Sequence, residues 1–121
     1  MLTLKPMIVP AEIVLIDDPQ EFASFMAERE DAGQWPEDDF AATQCFGQSD
    51  RILVVIALNL DRHKPGDMVD VLDTLTHEAV HVWQNVRDVM QETSPGHESE
   101  AYFVAGLVHW MASAVLPRIR S

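Results

Sequence analysis

The chain has 121 residues, 47% of them hydrophobic, with a formal net charge of −12. That length allows one compact domain, residues 1–121, with one core, and the acidic balance argues against nucleic acid as a partner because counterion release favours basic surfaces. A single cysteine, Cys45, excludes an internal disulfide and a CxxC metal knuckle, suits a reducing cytoplasm, and is expected as a buried small hydrophobe.

Met1–Pro6 is not followed by the apolar run of a secretory signal, and no stretch is expected to reach the length of a membrane span, so no membrane partner is expected. Ile8-Val9 and Glu12–Ile16 are apolar and β-branched and read as the first strand, ending at Asp17-Asp18. Asp18 can cap a helix opened by Pro19, in which Phe22, Phe25 and Met26 recur at helical spacing. Gly33–Asp39 reads as a loop whose Trp35 folds over the core. Residues 1–50 carry 11 acidic and 2 basic side chains, against 9 and 6 in the remainder. This is a solubilising face or, on a sharper reading, one that docks on a basic partner, as a DNA mimic does.

Phe40–Phe46 and Arg51–Leu58 flank Gly47–Asp50 and should pair as a hairpin. The second run is apolar almost throughout, which predicts burial on both faces. In the polar loop that follows, His63 is expected to be solvent-exposed.

Asp67 can cap a central helix on which Met68, Leu72, Leu75, Ala79, Val82 and Val86 form a core stripe. His77, His81 and Gln84 run on nearly the opposite face, free to line a cleft. His77-Glu78-Ala79-Val80-His81 is an HExxH match that places two imidazoles one turn apart, within reach of a tetrahedral Zn²⁺. Zinc lowers the pKa of bound water toward about 7, and Glu78 could take its proton and pass it to a leaving amine. Asp70, Asp73 and Asp88 are candidates for orienting the imidazoles or are plain surface residues.

A catalytic zinc needs a third protein ligand, and His97, Glu98 and Glu100 follow the motif. Ser94-Pro95 reads as a helix start, which puts Glu98 in the first turn, where the helix dipole favours a carboxylate. Glu98 is preferred, with Glu100 and His97 as alternatives. For Glu98 to reach the ion the central helix must end near Val86–Val89 and the loop must fold back, because a helix continuing to Glu92 climbs about 16 Å past His81. Tyr102, one turn beyond Glu98, is a candidate for stabilising a tetrahedral oxyanion, a packed tyrosine being the default. The last helix, to about Leu116, is apolar enough from Ala101 onward to pack on the central helix or to leave a patch for a homodimer. His109 within it reads as structural, and Arg118 and Arg120 as a frayed tail.

His77-Glu78-x-x-His81 followed by Glu98-x-x-Ala101-Tyr102 resembles the gluzincin clan of zinc metallopeptidases, which pairs HExxH with a glutamate ligand on a downstream helix. The wider string Thr76–Gln84, with Glu98-x-Glu100-Ala101-Tyr102, also looks like small proteins of tailed bacteriophages. Where the clan often has Asp after the Ala, this chain has Tyr102. The resemblance covers roughly the last 50 residues and implies a minimal zincin-like α+β domain: a small sheet, an active-site helix and a ligand helix. It implies zinc held by His77, His81 and Glu98, with Glu78 as base, acting on a peptide or protein substrate in the cytoplasm. In such enzymes an edge strand binds extended peptide beside the metal, a role the resemblance assigns to residues 51–60. The alternative is a non-enzymatic acidic interaction protein on the same scaffold.

Overall fold

Strict alternation of side chains along two interior strands lets one small sheet serve two cores. A computed structural model describes residues 1–5, 11–29, 33–48, 51–90 and 97–119. Its elements are β1 (Leu2–Leu4), β2 (Ala11–Ile16), α1 (Pro19–Arg29), β3 (Ala41–Gln48), β4 (Arg51–Leu58), a short 3-10 turn (Leu60–Arg62), α2 (Met68–Met90) and α3 (His97–Ile119). The fold class is α+β. The sheet runs β1-β2-β4-β3, with β2 and β4 parallel and both outer pairings antiparallel. Ile13, Leu15, Val54, Ile56 and Leu58 point to α2 and α3, whereas Val14, Ile16, Leu53, Val55 and Ala57 point to α1. Apart from Ala57, each of these side chains contributes about 1.5–3 kcal/mol on full burial.

The helix starts follow the capping residues. Asp18 Oδ1 accepts from the Gln20 amide at 3.1 Å, and Asp67 Oδ1 accepts from the Asp70 amide at 2.9 Å. The β3–β4 hairpin forms as the sequence predicts, from Ala41↔Leu58 to Gln48↔Arg51. Trp35 also folds inward, meeting Phe22 edge-on at 5.6 Å.

Several expectations are corrected. The Leu2–Leu4 strand is an addition: three residues carry too little periodicity to be read. Ile8-Val9 and Ser94–Gly96 lie outside the described residues. On α2, Leu75, Ala79, Val82 and Val86 are buried as expected, but Val71 seats the helix start, leaving Leu72 exposed and Met68 exposed beside α3. His63 is buried, not exposed: its Nδ1 lies 2.9 Å from the Asn59 carbonyl and its Nε2 2.8 Å from the Thr74 hydroxyl. A carbonyl only accepts, so Nδ1 carries a proton, and Nε2 bonds the Thr74 hydroxyl, which also has the Asp70 carbonyl at 3.3 Å. Asn59 in turn donates to the Pro36 carbonyl at 2.8 Å, and its amide to the Phe40 carbonyl at 2.9 Å. These bonds pin the acidic loop beside α2.

Cys45 is exposed because β3 is an edge strand; the partial cover its thiol has pushes the thiol pKa upward. Arg118 is no frayed tail, since its Nη1 lies 2.6 Å from Asp17 Oδ2, an otherwise unpartnered buried oxygen at the end of β2. Finally, Glu100–Ile119 of α3 does have the length and apolar composition of a membrane span, and only 17% of it is buried. The apolar run Ala101–Val108, continued past His109 by Trp110–Ala112 and Ala114–Leu116, produces that composition.

Candidate metal centre

The two histidines of α2 converge. His77 Nε2 and His81 Nε2 are 3.1 Å apart, with the rings at 78° to one another. Two nitrogens bound to one tetrahedral zinc at about 2.0–2.1 Å stand about 3.3–3.4 Å apart, so the pair is set to grip a single ion with a small outward adjustment. His81 Nδ1 lies 3.0 Å from Gln84 Oε1. With that oxygen accepting, the His81 proton is on Nδ1 and the Nε2 lone pair is free for a cation. In the ion's absence His77 Nε2–H can donate to that same lone pair, so one geometry serves both conditions.

Glu78 is 5% exposed and is the buried carboxylate of the site. Thr43 of β3 donates its hydroxyl to Glu78 Oε1 at 2.8 Å, leaving Oε2 3.9 Å from His77 Nε2. One oxygen is thus anchored to the sheet while the other faces the histidines. The His77 side chain, 69% exposed, leaves the far side of the site open to solvent. A cleft of about 390 Å³ adjoins it, lined by Asp39, Phe40, Ala41, Asp70, Asp73, Thr74, His77 and Glu78.

Thr43 does not stand out as a functional residue in the sequence, and Gln84 is placed there on the motif face without a role. Gln84 had a usable signal, its position three residues after His81 on the same helical face. Thr43 had none, because a threonine in a strand is commonplace.

α3 lies along the other flank of α2. Trp83 meets Phe103 at a centroid distance of 5.2 Å, and Thr76 and Val80 face Glu100, Ala101, Val104, Ala105, Val108 and His109 across a groove. Glu100 is therefore separated from His77 and His81 by the body of α2. Tyr102 is 76% exposed and lines neither the cleft nor that groove, and His109 is exposed on the groove. Glu98 is in the first turn of α3, and its side chain is outside the described residues. α2 is described to Met90, one residue past the expected Val86–Val89, and the connection at 91–96 lies outside the described residues. With Trp83 level with Phe103, and Met68 level with Leu116 and Pro117, the two helices are antiparallel. The Glu98 backbone stands about 7–8 Å further toward the Met90 end than Phe103 does. Among the described residues no group of three or more His, Cys, Asp or Glu side chains gathers around one point.

The strand expected to receive peptide is also different. β4 has partners on both sides, β2 and β3, so its hydrogen-bonding edges are used. The free edge nearest the histidines belongs to β3. No known family profile, no curated protein and no solved structure matches the chain.

Proposed function

We propose that this protein is a zinc-dependent hydrolase of peptide bonds, on a minimal zincin-like domain of the gluzincin type. The observation that carries the reading is the convergence of His77 Nε2 and His81 Nε2 to 3.1 Å beside a buried, anchored Glu78. A pair of imidazoles held this way fits zinc as far as two ligands go, and Gln84 keeps the second one in the metal-binding tautomer. Zinc, when bound, supplies Lewis-acid chemistry, polarising a carbonyl and acidifying water.

The chain's own residues do the rest. Glu78 Oε2 faces the reaction volume and serves as the general base, then returns the proton to the leaving amine. Thr43 holds Oε1 so that the carboxylate cannot swing away. The free edge of β3 can align an extended substrate backbone by main-chain hydrogen bonds, ending at the acid-lined cleft.

Metal content tests the reading directly. Elemental analysis of protein purified without chelator should give near-stoichiometric zinc in the wild type and none in His77→Ala. Loss of zinc in Glu98→Ala as well makes Glu98 the third ligand, and retention removes it from the site. A zinc-free wild type that takes up no added zinc would end the metallohydrolase reading. The second reading, a non-enzymatic acidic interaction protein, then takes its place. That reading is favoured by the position of α3 on the flank of α2 away from the histidines.

A further inference from the structure

α3 is the apolar element least covered by its own fold. Its inner residues Leu107, Met111 and Val115 are buried in the core, yet the groove it forms with α2, about 780 Å³, is open and mostly apolar. Met68, Val69, Leu72 and Val80 of α2 are exposed large hydrophobic residues, and Leu72 and Val69 lie near Thr76 on the helical wheel. Contiguous apolar surface of this kind on an otherwise acidic protein marks an interaction site. The α3 wall of the groove is Glu100, Ala101, Val104, Ala105, Val108 and His109.

We propose that this groove is the interface of a two-fold homodimer, in which the α3 helices of two copies pack antiparallel about an axis between Val104 and Ala105. The arrangement of residues is self-complementary about that point, as an isologous contact requires. The axis sets Glu100 of each copy opposite His109 of the other, Ala101 opposite Val108, and Val104 opposite Ala105. Glu100 and His109 are the polar ends of the stripe, and each finds a partner of matching chemistry: the imidazole donates to the carboxylate whether it is neutral or charged. The small side chains of Ala101 and Ala105 face the bulkier Val108 and Val104, so ridges meet hollows and the backbones can approach closely. Two copies bring together a net charge of −12 each, but the stripe contains one carboxylate and that one is matched, which keeps the repulsion away from the contact. A lipid surface is a poorer occupant, because the stripe would carry an unpaired Glu100 into it. A stable pairing needs roughly 800 Å² from each copy, more than the groove alone exposes, so the contact has to extend over the exposed Val69, Leu72 and Val80 of α2.

Sedimentation velocity on the full chain over a concentration series tests this. The wild type should sediment with twice the monomer mass of 13.6 kDa. Ala105→Glu changes an exposed position and sets two carboxylates against each other at the axis, so it should be monomeric with an unchanged far-ultraviolet circular dichroism spectrum. Glu100→Lys should weaken dimerisation about five- to tenfold, and Glu100→Lys combined with His109→Glu should restore it. A wild type that stays monomeric throughout overturns the proposal, as does a dimer that survives Ala105→Glu or a double variant weaker than the single one. A monomer that floats with phosphatidylcholine vesicles would also overturn it and give the face to a membrane.

Discussion

The two flanks of α2 are cut from one helix and do opposite things. On one flank the helix presents Thr74, Glu78, His81 and Asn85, each tied by a hydrogen bond to a defined partner, Glu78 to Thr43 of β3. Toward α3 it presents Thr76, Val80 and Trp83, which meet an apolar wall, and the Trp83 indole N–H finds no acceptor among the described residues. Polar groups with fixed partners hold their directions, and fixed directions are what chemistry needs. The apolar flank gains from contact of any direction, which suits association. The core stripe between them makes both flanks depend on the same seating of the helix.

The sharpest way to break the comparison is to disarm one flank alone. Glu78→Gln keeps the shape of the side chain and the bond from Thr43, so the protein should stay folded and keep its zinc while peptide hydrolysis falls about 10²–10⁴-fold. Zinc content, circular dichroism and a peptide-library cleavage assay on one preparation check this. Equal activity in the variant would strip Glu78 of its role as base.

Removing the common seat should disturb both flanks at once. Leu75 is fully buried between the sheet and α3, and Leu75→Ala should lower stability by about 2–5 kcal/mol in urea unfolding. A loss well under 1 kcal/mol would mean that α2 is seated elsewhere.

A smaller effect separates orientation from ligation. Gln84→Ala removes the group that fixes the His81 tautomer and should weaken zinc binding about 10–100-fold with no change in fold, measured by competition with a chromogenic chelator. The same substitution on the other flank, Val80→Ala, should leave zinc affinity unchanged.

The smallest expected change lies away from both flanks. Arg118→Ala takes the compensating charge from the nearly buried Asp17 carboxylate. Because the guanidinium is itself half-exposed and screened by solvent, the loss should be about 1 kcal/mol. Thermal unfolding at low and high salt measures it, and the difference between wild type and variant should narrow as salt rises.

Much of the molecule was legible residue by residue. The apolar, β-branched runs within Glu12–Ile16 and Arg51–Leu58, the caps at Asp18 and Asp67, and the i, i+4 pair His77 and His81 all depend on contacts within a few residues. Local geometry fixes such contacts wherever the segment lies. So β2, the hairpin, α1 and the convergence of two imidazoles were readable from composition and spacing. What was missed depends on which surfaces meet. His63 is buried because Thr74 and Asn59 happen to enclose it, and Arg118 is ordered because α3 ends beside Asp17. Thr43 reaches Glu78 across 35 positions of sequence.

Short-range pattern carried β2, the hairpin, the helices, the acidic composition and the paired histidines. Only the tertiary structure decided that β4 is interior and β3 the edge, and that α3 lies along the Thr76–Val80 flank and not beside the histidines. Both choices are made by the same physics. α2 and α3 must together cover one apolar face of a twisted four-stranded sheet, and the side on which α3 lies follows from where that face remains uncovered, a quantity that no local window of residues contains.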